Sequence, residues 1–484
     1  MSKIALPIAE LKPALIGFGK VISKRCTLPV LNHLKIERTK DGWITITGTD
    51  LDAYVTYRLE QPSEGEALTL LVPCDELQKL AKNCPKNDTL LLAGDSKAVT
   101  IQYAIGSQVA EAKVDSLAVE EFPEIPRIKG EPIPLNDTLR QSIHEAMDCA
   151  SEDQTRLILN SAYIDVSKEE GHYVVGTNGS HLFASNSFKL PLKDSVIIPT
   201  HKFLGYREFN NDGEWQLRIG TPQHKDDAPQ IQISSRRWRF IAKQYEGSYP
   251  NWRQVVPSEF ASGIQFEESS LDALADTIER LPDHDERFHA IGIERKERAV
   301  NLLWKSNKEE PWKRLPVTAE KLTGNDITIY LNRHYLTKAL RFSLHQLDLI
   351  DSLSPMRFSQ NGRQMIVMPV NTEGPPMRCT PAATPSEQPA AHAPAAKEER
   401  KPMPRTSTAA PTTNGNGHNQ QQPAPETKPA LEIALDQIET IKGSYREAIK
   451  GLNELGDTLK QVQREHRTIQ SFRANLEKLT TGRA

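Results

Sequence analysis

No stretch of the 484 residues holds about 18 apolar residues in a row, the length a helix needs to cross a bilayer, so no membrane span is expected. The opening MSKIALPIAELKP has no apolar core followed by a small-residue cleavage site, so it does not read as a secretory signal and a cytoplasmic location is expected. Cysteine is scarce. Cys26, Cys74, Cys84, Cys149 and Cys379 are scattered and form no C-x-x-C pair, which argues against a disulfide framework or a thiolate zinc site. Aromatic residues make up only 6%, low for a compact enzyme. No Gly-x-Ser-x-Gly and no paired catalytic carboxylates stand out. Gly17-Phe18-Gly19-Lys20 lacks the glycine spacing and the Ser or Thr of a phosphate loop. Asp283-His284-Asp285-Glu286 with His289 follows a helical pattern without a second ligand group. No catalytic site, cofactor or metal is therefore expected. With 60 Lys and Arg against 63 Asp and Glu, the net charge is −3, which excludes a globally basic nucleic-acid binder. A locally basic surface stays open, because the field follows where charges are placed.

What is present divides the chain by composition. Residues 1–371 carry apolar residues throughout, in strand-like alternation and short helical patterns. Residues 372–429 contain no Leu, Ile, Val, Phe, Tyr or Trp and hold twelve prolines. Such a stretch buries too little apolar surface to offset the entropy of ordering, so a disordered linker is expected, spanning about 40–45 Å as a flexible coil. In 430–484 a heptad pattern returns. Leu431, Ile438, Tyr445, Leu452 and Leu459 recur every seven residues, as do Ala434, Ile441, Ala448, Leu455, Val462, Ile469 and Leu476. This is an a/d seam, interrupted by His466 and Arg473 and weakened by Gly443, Gly451 and Gly456. It reads as a helix that self-associates, docks on a partner or on the body, or is only marginally stable.

The first 371 residues repeat. Amphipathic helix openings occur at Glu10–Ile22, Asp137–Cys149 and Ser269–Leu281. An alternating apolar run follows each: TLPVLNHLKIE, TRLILNSAYIDV and ERFHAIGIE. Ile46-Thr47-Gly48-Thr49-Asp50 matches Val174-Val175-Gly176-Thr177-Asn178. Leu71-Val72-Pro73 matches Ile197-Ile198-Pro199, and Ile329-Tyr330-Leu331-Asn332 stands at the same place in the third copy. Each reads as a short strand turning into a second helix. The expected fold class is α+β, with three similar domains of antiparallel sheet packed on two helices. Expected boundaries are 1–128, 129–257 and 258–371. A repeated architecture without a repeated catalytic set suggests a scaffold.

If the repeated helices share a face, their cations gather there: Lys12, Lys20, Lys24, Arg25, Lys79 and Lys82 from the first unit, Arg140, His201, Lys202 and Arg207 from the second, and Arg333, Lys338 and Arg341 from the third. Such a surface would track a phosphate backbone without reading bases. Ordinary solvated helix faces are the alternative.

At this point the sequence resembles the bacterial replicative sliding clamp, the beta subunit of DNA polymerase III. The resemblance rests on Cys26-Thr27-Leu28-Pro29-Val30-Leu31, Thr45 to Leu51, Val72-Pro73, Phe122-Pro123, Leu159-Asn160, Thr177-Asn178-Gly179, Ser195 to Pro199, Tyr249-Pro250-Asn251-Trp252-Arg253 and Val367-Met368-Pro369-Val370, in order over 1–371. It implies the DNA clamp fold, with three domains per chain. It implies two chains closing head to tail into a homodimer ring, and duplex DNA held non-specifically in the pore. It also implies a pocket that takes short peptide motifs of DNA polymerase and clamp-loader subunits. Carried over, that pocket comprises Leu159, Thr177, Gly179, His181, Leu182, Pro250, Gln254, Val255, Ile366, Met368, Pro369 and Val370. Gly179-Ser180-His181-Leu182 stands where Gly-His-Arg-Leu is usual, and Gln254 where Arg is frequent. Asp153 would repel phosphate at a position that often faces DNA, whereas Arg25 matches a DNA-contacting one. The family stops near the Met-Pro strand, whereas this chain continues from Asn371 to Ala484. The expected function is a DNA sliding clamp, a processivity factor and not an enzyme. The alternative is a clamp-like adaptor or coiled-coil scaffold that binds partners without sliding on DNA.

Overall fold

The computed structural model describes residues 2–23, 28–106, 108–169, 171–220 and 229–371. The expected linker and heptad segment lie outside these residues.

Three units follow one element order. The first runs β1 (Ile4–Pro7), α1 (Ile8–Phe18), β2 (His33–Arg38), β3 (Ile44–Thr49), β4 (Ala53–Arg58), β5 (Leu68–Pro73), α2 (Cys74–Asn83), β6 (Thr89–Gly94), β7 (Ala98–Ile105) and β8 (Gln108–Asp115). The second runs β9 (Ile133–Leu135), α3 (Asp137–Asp148), β10 (Ser161–Asp165), β11 (His172–Thr177), β12 (His181–Phe188), β13 (Val196–Pro199), α4 (Arg207–Asn210), β14 (Trp215–Ile219), β15 (Gln230–Ser234) and β16 (Trp238–Lys243). The third runs β17 (Ser262–Phe266), α5 (Leu271–Arg280), β18 (Ala290–Lys296), β19 (Ala299–Trp304), β20 (Lys313–Val317), β21 (Ala319–Gly324), β22 (Ile327–Asn332), α6 (Arg333–Arg341), β23 (Gln346–Leu349), β24 (Met356–Gln360) and β25 (Arg363–Val367). Strand β21 is an addition of the third unit.

Local chemistry sets the helices. In α1, Ile8, Leu11, Leu15 and Phe18 are buried at helical spacing. The Asn136 side chain accepts from the Leu139 N–H at 2.9 Å and so caps α3. Asn332 caps α6 in the same way through the His334 N–H at 2.8 Å. The expected second helix of unit two is only the four residues of α4. The Asn210 amide donates to the Leu204 and Tyr206 carbonyls, closing the segment into turns that compete with a longer helix. Gly176 lets α3 lie directly on β11, because a Cβ there would stand 1.8 Å from the Ala146 carbonyl oxygen.

Each unit contributes two half-sheets, and neighbouring units are joined edge to edge. Strand β4 pairs antiparallel with β16, Val55 opposite Phe240, which makes one eight-stranded sheet, β5-β2-β3-β4-β16-β15-β14-β9. Strand β12 pairs with β25, Phe183 opposite Met365, which makes a nine-stranded sheet, β13-β10-β11-β12-β25-β24-β23-β17-β21. Two four-stranded half-sheets remain, β1-β6-β7-β8 and β20-β19-β18-β22. Their outer strands, β8 and β20, have no strand partner on one side among the described residues.

Candidate docking site and nucleic-acid interface

Successive strand residues face opposite sides of a sheet. In the nine-stranded sheet, Val174, Phe183 and Met365 join the main core, and α3 packs on β10, β11 and β12. On the other side Val175, Leu182, Ala184 and Ile366 form a second, separate cluster with Trp252, and Tyr163, Tyr173, Tyr249 and Val256 pack against it. The Trp252 indole N–H donates to Asp165 at 2.8 Å. Arg253 pairs with the same carboxylate and lies 4.5 Å over the Trp252 ring. Burial alone would raise the Asp165 carboxyl. Hydrogen bonds from Ser167 and Trp252 and the Arg253 charge hold it below the usual carboxylate range. Tyr163 and Tyr249 stack with centroids 4.4 Å apart.

Loops close around this cluster. The Asn178 carboxamide oxygen accepts from the Ser180 and His181 N–H groups. Gly179 sits at φ +90° within that turn, a conformation that favours glycine. The Met368 N–H donates to the Ser180 carbonyl at 3.0 Å. Leu157, Val255 and Met368 stand 48%, 42% and 43% exposed. Large apolar side chains left in solvent beside a formed apolar cluster suit a docking surface.

The helices present their cations unevenly. Lys20, Lys82, Lys202 and Arg207 are exposed, and none of them forms an ion pair with another described residue. Lys79 pairs with Asp75 and Glu76, and Arg140 with Asp137 at 2.8 Å. Lys338 pairs with Asp148 at 3.9 Å. Arg341 meets Asp272, Asp276 and Glu279. Lys12 donates to the Cys84 carbonyl at 2.7 Å, just past the end of α2. A cleft of about 400 Å³ beside Lys202 is walled by His144, Met147 and Asp148 of α3 and by Phe342 of the third unit.

A sequence model described as "DNA polymerase III beta subunit, N-terminal domain" matches residues 9–126. The beta sliding clamp of Pseudomonas putida is 25% identical over 378 residues, 75% of this chain and 97% of its own. That of Bacillus subtilis is 23% identical over 345 residues, 66% of this chain and 85% of its own. Among solved structures, the Bacillus subtilis DNA polymerase sliding clamp matches with a TM-score of 0.65 and 18% identity, over 77% of this chain and 99% of its own. The chain is similar to beta sliding clamps along most of its described body and shares their fold. The match extends nearly end to end along the Pseudomonas putida relative, and the fold agrees over the same body.

Against the sliding-clamp expectations, the structure brings part of the residue set together. Leu182 and Ile366 lie inside the second cluster. Pro250, Gln254 and Val255 belong to the segment whose Trp252 seals it. Thr177 and Gly179 form the adjoining turn, and Leu159 is almost buried in the 3-10 turn Leu157–Leu159. Met368, Pro369 and Val370 follow directly on β25, where the Val370 N–H donates to the Tyr330 carbonyl. His181 is a correction. It neighbours Leu182 on β12 and so faces the opposite side. There its ring stacks on Tyr335 at 4.1 Å, buried, with neither ring nitrogen hydrogen-bonded. Burial, helped by the Lys338 charge, pushes its pKa down to about 3.

Arg333 is a second correction. It is 6% exposed and its guanidinium donates to the Pro282 carbonyl, because the first turn of α6 points inward there. Lys12 and His201 are half-buried, and His201 stands 3.8 Å from Asp50. Lys24 and Arg25 lie outside the described residues. Asp153 is paired with Arg156 at 3.8 Å. Sequence reasoning missed Trp252, Tyr163 and Tyr173 as the cluster's frame. The signal for Trp252 was an aromatic residue inside Tyr249-Pro250-Asn251-Trp252-Arg253, a motif rich in turn formers.

Proposed function

We propose that this protein is a DNA sliding clamp, a ring that encircles duplex DNA and tethers the replicative polymerase and other factors for processivity, without a catalytic site of its own. The observation that carries this reading is the repeated joint. Twice within the chain, the first half-sheet of one unit pairs its edge strand with the second half-sheet of the next, β4 with β16 and β12 with β25. The same rule applied once more pairs β20 of one chain with β8 of another, head to tail. Two chains joined in this way close a homodimer ring. Of the helix cations expected to meet phosphate, Lys20, Lys82, Lys202 and Arg207 are exposed and without an ion pair among the described residues, and Lys24 and Arg25 join them from the sequence. Their contacts would be independent of base identity, so linkage around the duplex, and not affinity, would retain the ring.

The second apolar cluster, with Leu157, Val255 and Met368 at its rim, is the proposed docking site for short peptide motifs of polymerase and clamp-loader subunits in the cytoplasm. Methionine and other flexible apolar side chains can repack around different peptides. The heptad segment 430–484 is proposed to self-associate or bind another protein. Covalent tethering to the body would give it an effective concentration near the millimolar range for a partner bound there. Deleting 372–484 should alter assembly or partner binding, and an unchanged profile would discard that role.

The test of the clamp reading is retention. Full-length protein loaded on nicked circular duplex should stay bound in high salt and be lost when the circle is linearised. Equal retention on linear DNA with free ends would contradict the reading.

A further inference from the structure

The registers of the two internal joints fix, by equivalence, the residues that would meet at the joint between chains. In the first half-sheets, the pairs Ile36–Leu70, Ile164–Val196 and Ile293–Ile329 occupy the same place. Following the ladders outward makes Tyr57, Ser185 and Leu315 equivalent. In the second half-sheets, Ile4, Ile133 and Ile264 hold one position on the first strand. The same walk makes Ala112, Phe240 and Met365 equivalent. At the internal joints Val55 faces Phe240 and Phe183 faces Met365. Lys313 of one chain then faces Ala112 of the other. This register also keeps core-facing residues opposite core-facing residues, since Leu302 opposite Leu315 and Val99 opposite Val114 mark the buried sides.

We infer that, in the ring proposed above, Arg314 of one chain stands directly opposite Glu111 of the next, and that this pair makes the edge specific for a second copy of this chain. The equivalent internal positions are Thr56 opposite Arg239 and Ala184 opposite Gln364, so only the open joint carries opposite charges there. Arg314 is held ready: Glu294 accepts from its Nε at 2.8 Å and its Nη2 at 2.9 Å, and its side chain remains 61% exposed. Glu111 is exposed and accepts from Gln102 at 2.6 Å. One guanidinium can bridge both carboxylates, because it has five donors in a fixed fork.

The same register places Pro316 opposite Val109. At the internal joints the equivalent residues donate across: the Arg58 N–H to the Arg237 carbonyl at 2.9 Å, and the Asn186 N–H to the Gly362 carbonyl at 3.1 Å. Proline has no N–H, so the joint between chains lacks a hydrogen bond that both internal joints make.

The test uses charge exchange in the full chain, with dimer dissociation followed by sedimentation on dilution. Glu111→Arg alone and Arg314→Glu alone should each raise the dissociation constant about tenfold or more, since each ring has two such joints and like charges directly opposed are destabilising. Mixing the two variants should restore assembly, because a head-to-tail ring of one of each matches charge at both joints. Arg314→Glu also sets a carboxylate beside Glu294. Glu111→Gln, which adds no local repulsion, should therefore weaken the dimer as well, with a melting temperature unchanged at dilutions where both proteins are monomeric. Pro316→Ala should tighten the dimer several-fold, and no change would overturn the missing-bond argument. A monomeric wild-type chain would sink the ring reading itself. A dimeric wild type with unaffected Glu111 and Arg314 variants, or no rescue on mixing, would overturn this register and leave the ring standing.

Discussion

Two adjacent side chains on β12 carry opposite duties. Leu182 helps form the apolar cluster, whereas His181 is buried on the far side with its pKa near 3. An unfolded chain takes up a proton on this imidazole below about pH 6.5. The folded chain does not until near pH 3, so stability present above pH 6.5 is lost as the pH falls. In His181→Leu, the loss of unfolding free energy between pH 7 and pH 5 should shrink by about 2 kcal/mol, measured by denaturant titration at both values. An unchanged difference would mean that His181 is hydrated or protonated in the folded protein. The face of His181 was not legible from the resemblance alone. It follows from strand alternation, once Leu182 is known to face Trp252.

At the scale of elements, the joints between units carry charge networks that their sequences hide. Arg237, at the edge of unit two, donates to Asp212 at 2.9 Å and stands 3.3 Å from Glu60 and 3.7 Å from Glu10 of unit one. It also donates to the Tyr57 hydroxyl at 2.9 Å. The Asp212 side chain is 1% exposed. Arg237→Ala would leave that buried carboxylate short of a partner and should cost about 3 kcal/mol, read as a lower midpoint in chemical unfolding. An unshifted midpoint would show that the network adds nothing to the joint. At the second joint Arg363 meets Glu145 at 2.7 Å. The order of elements was readable because helix openings, alternating runs and the Val72-Pro73 and Ile198-Pro199 strand ends recur. The pairing of β4 with β16 was not, since it joins residues far apart in sequence and leaves no local pattern. The shortness of α4 in unit two was hidden for a different reason, because the Asn210 side chain bonds the nearby Leu204 and Tyr206 carbonyls, a local competitor of the helix that hydrophobic periodicity does not show.

Over the whole molecule, the near-neutral total conceals how cations are spent. Most of the helix cations expected to meet DNA are tied to acids or carbonyls of the same chain, and Lys20, Lys82, Lys202 and Arg207 remain free among the described residues. Sequence supplied the list, but tertiary contact decided which charges survive, because an ion pair depends on neighbours that only the fold brings near. Low free charge suits a ring that slides, since a strongly basic lumen would bind phosphates tightly and in a salt-dependent manner. Closure of the β8–β20 joint around DNA is the claim on which all of this rests. Cysteines at Val109 and Pro316, which directly oppose each other in the inferred register, give the sharpest test. The variant is loaded on circular duplex, oxidised and then denatured. The ring should remain linked to circular DNA through denaturation, carry the 109–316 cross-link between two chains, and come free when the DNA is cut. Cross-linked dimer that leaves the intact circle, or a 109–109 cross-link in its place, would contradict the account.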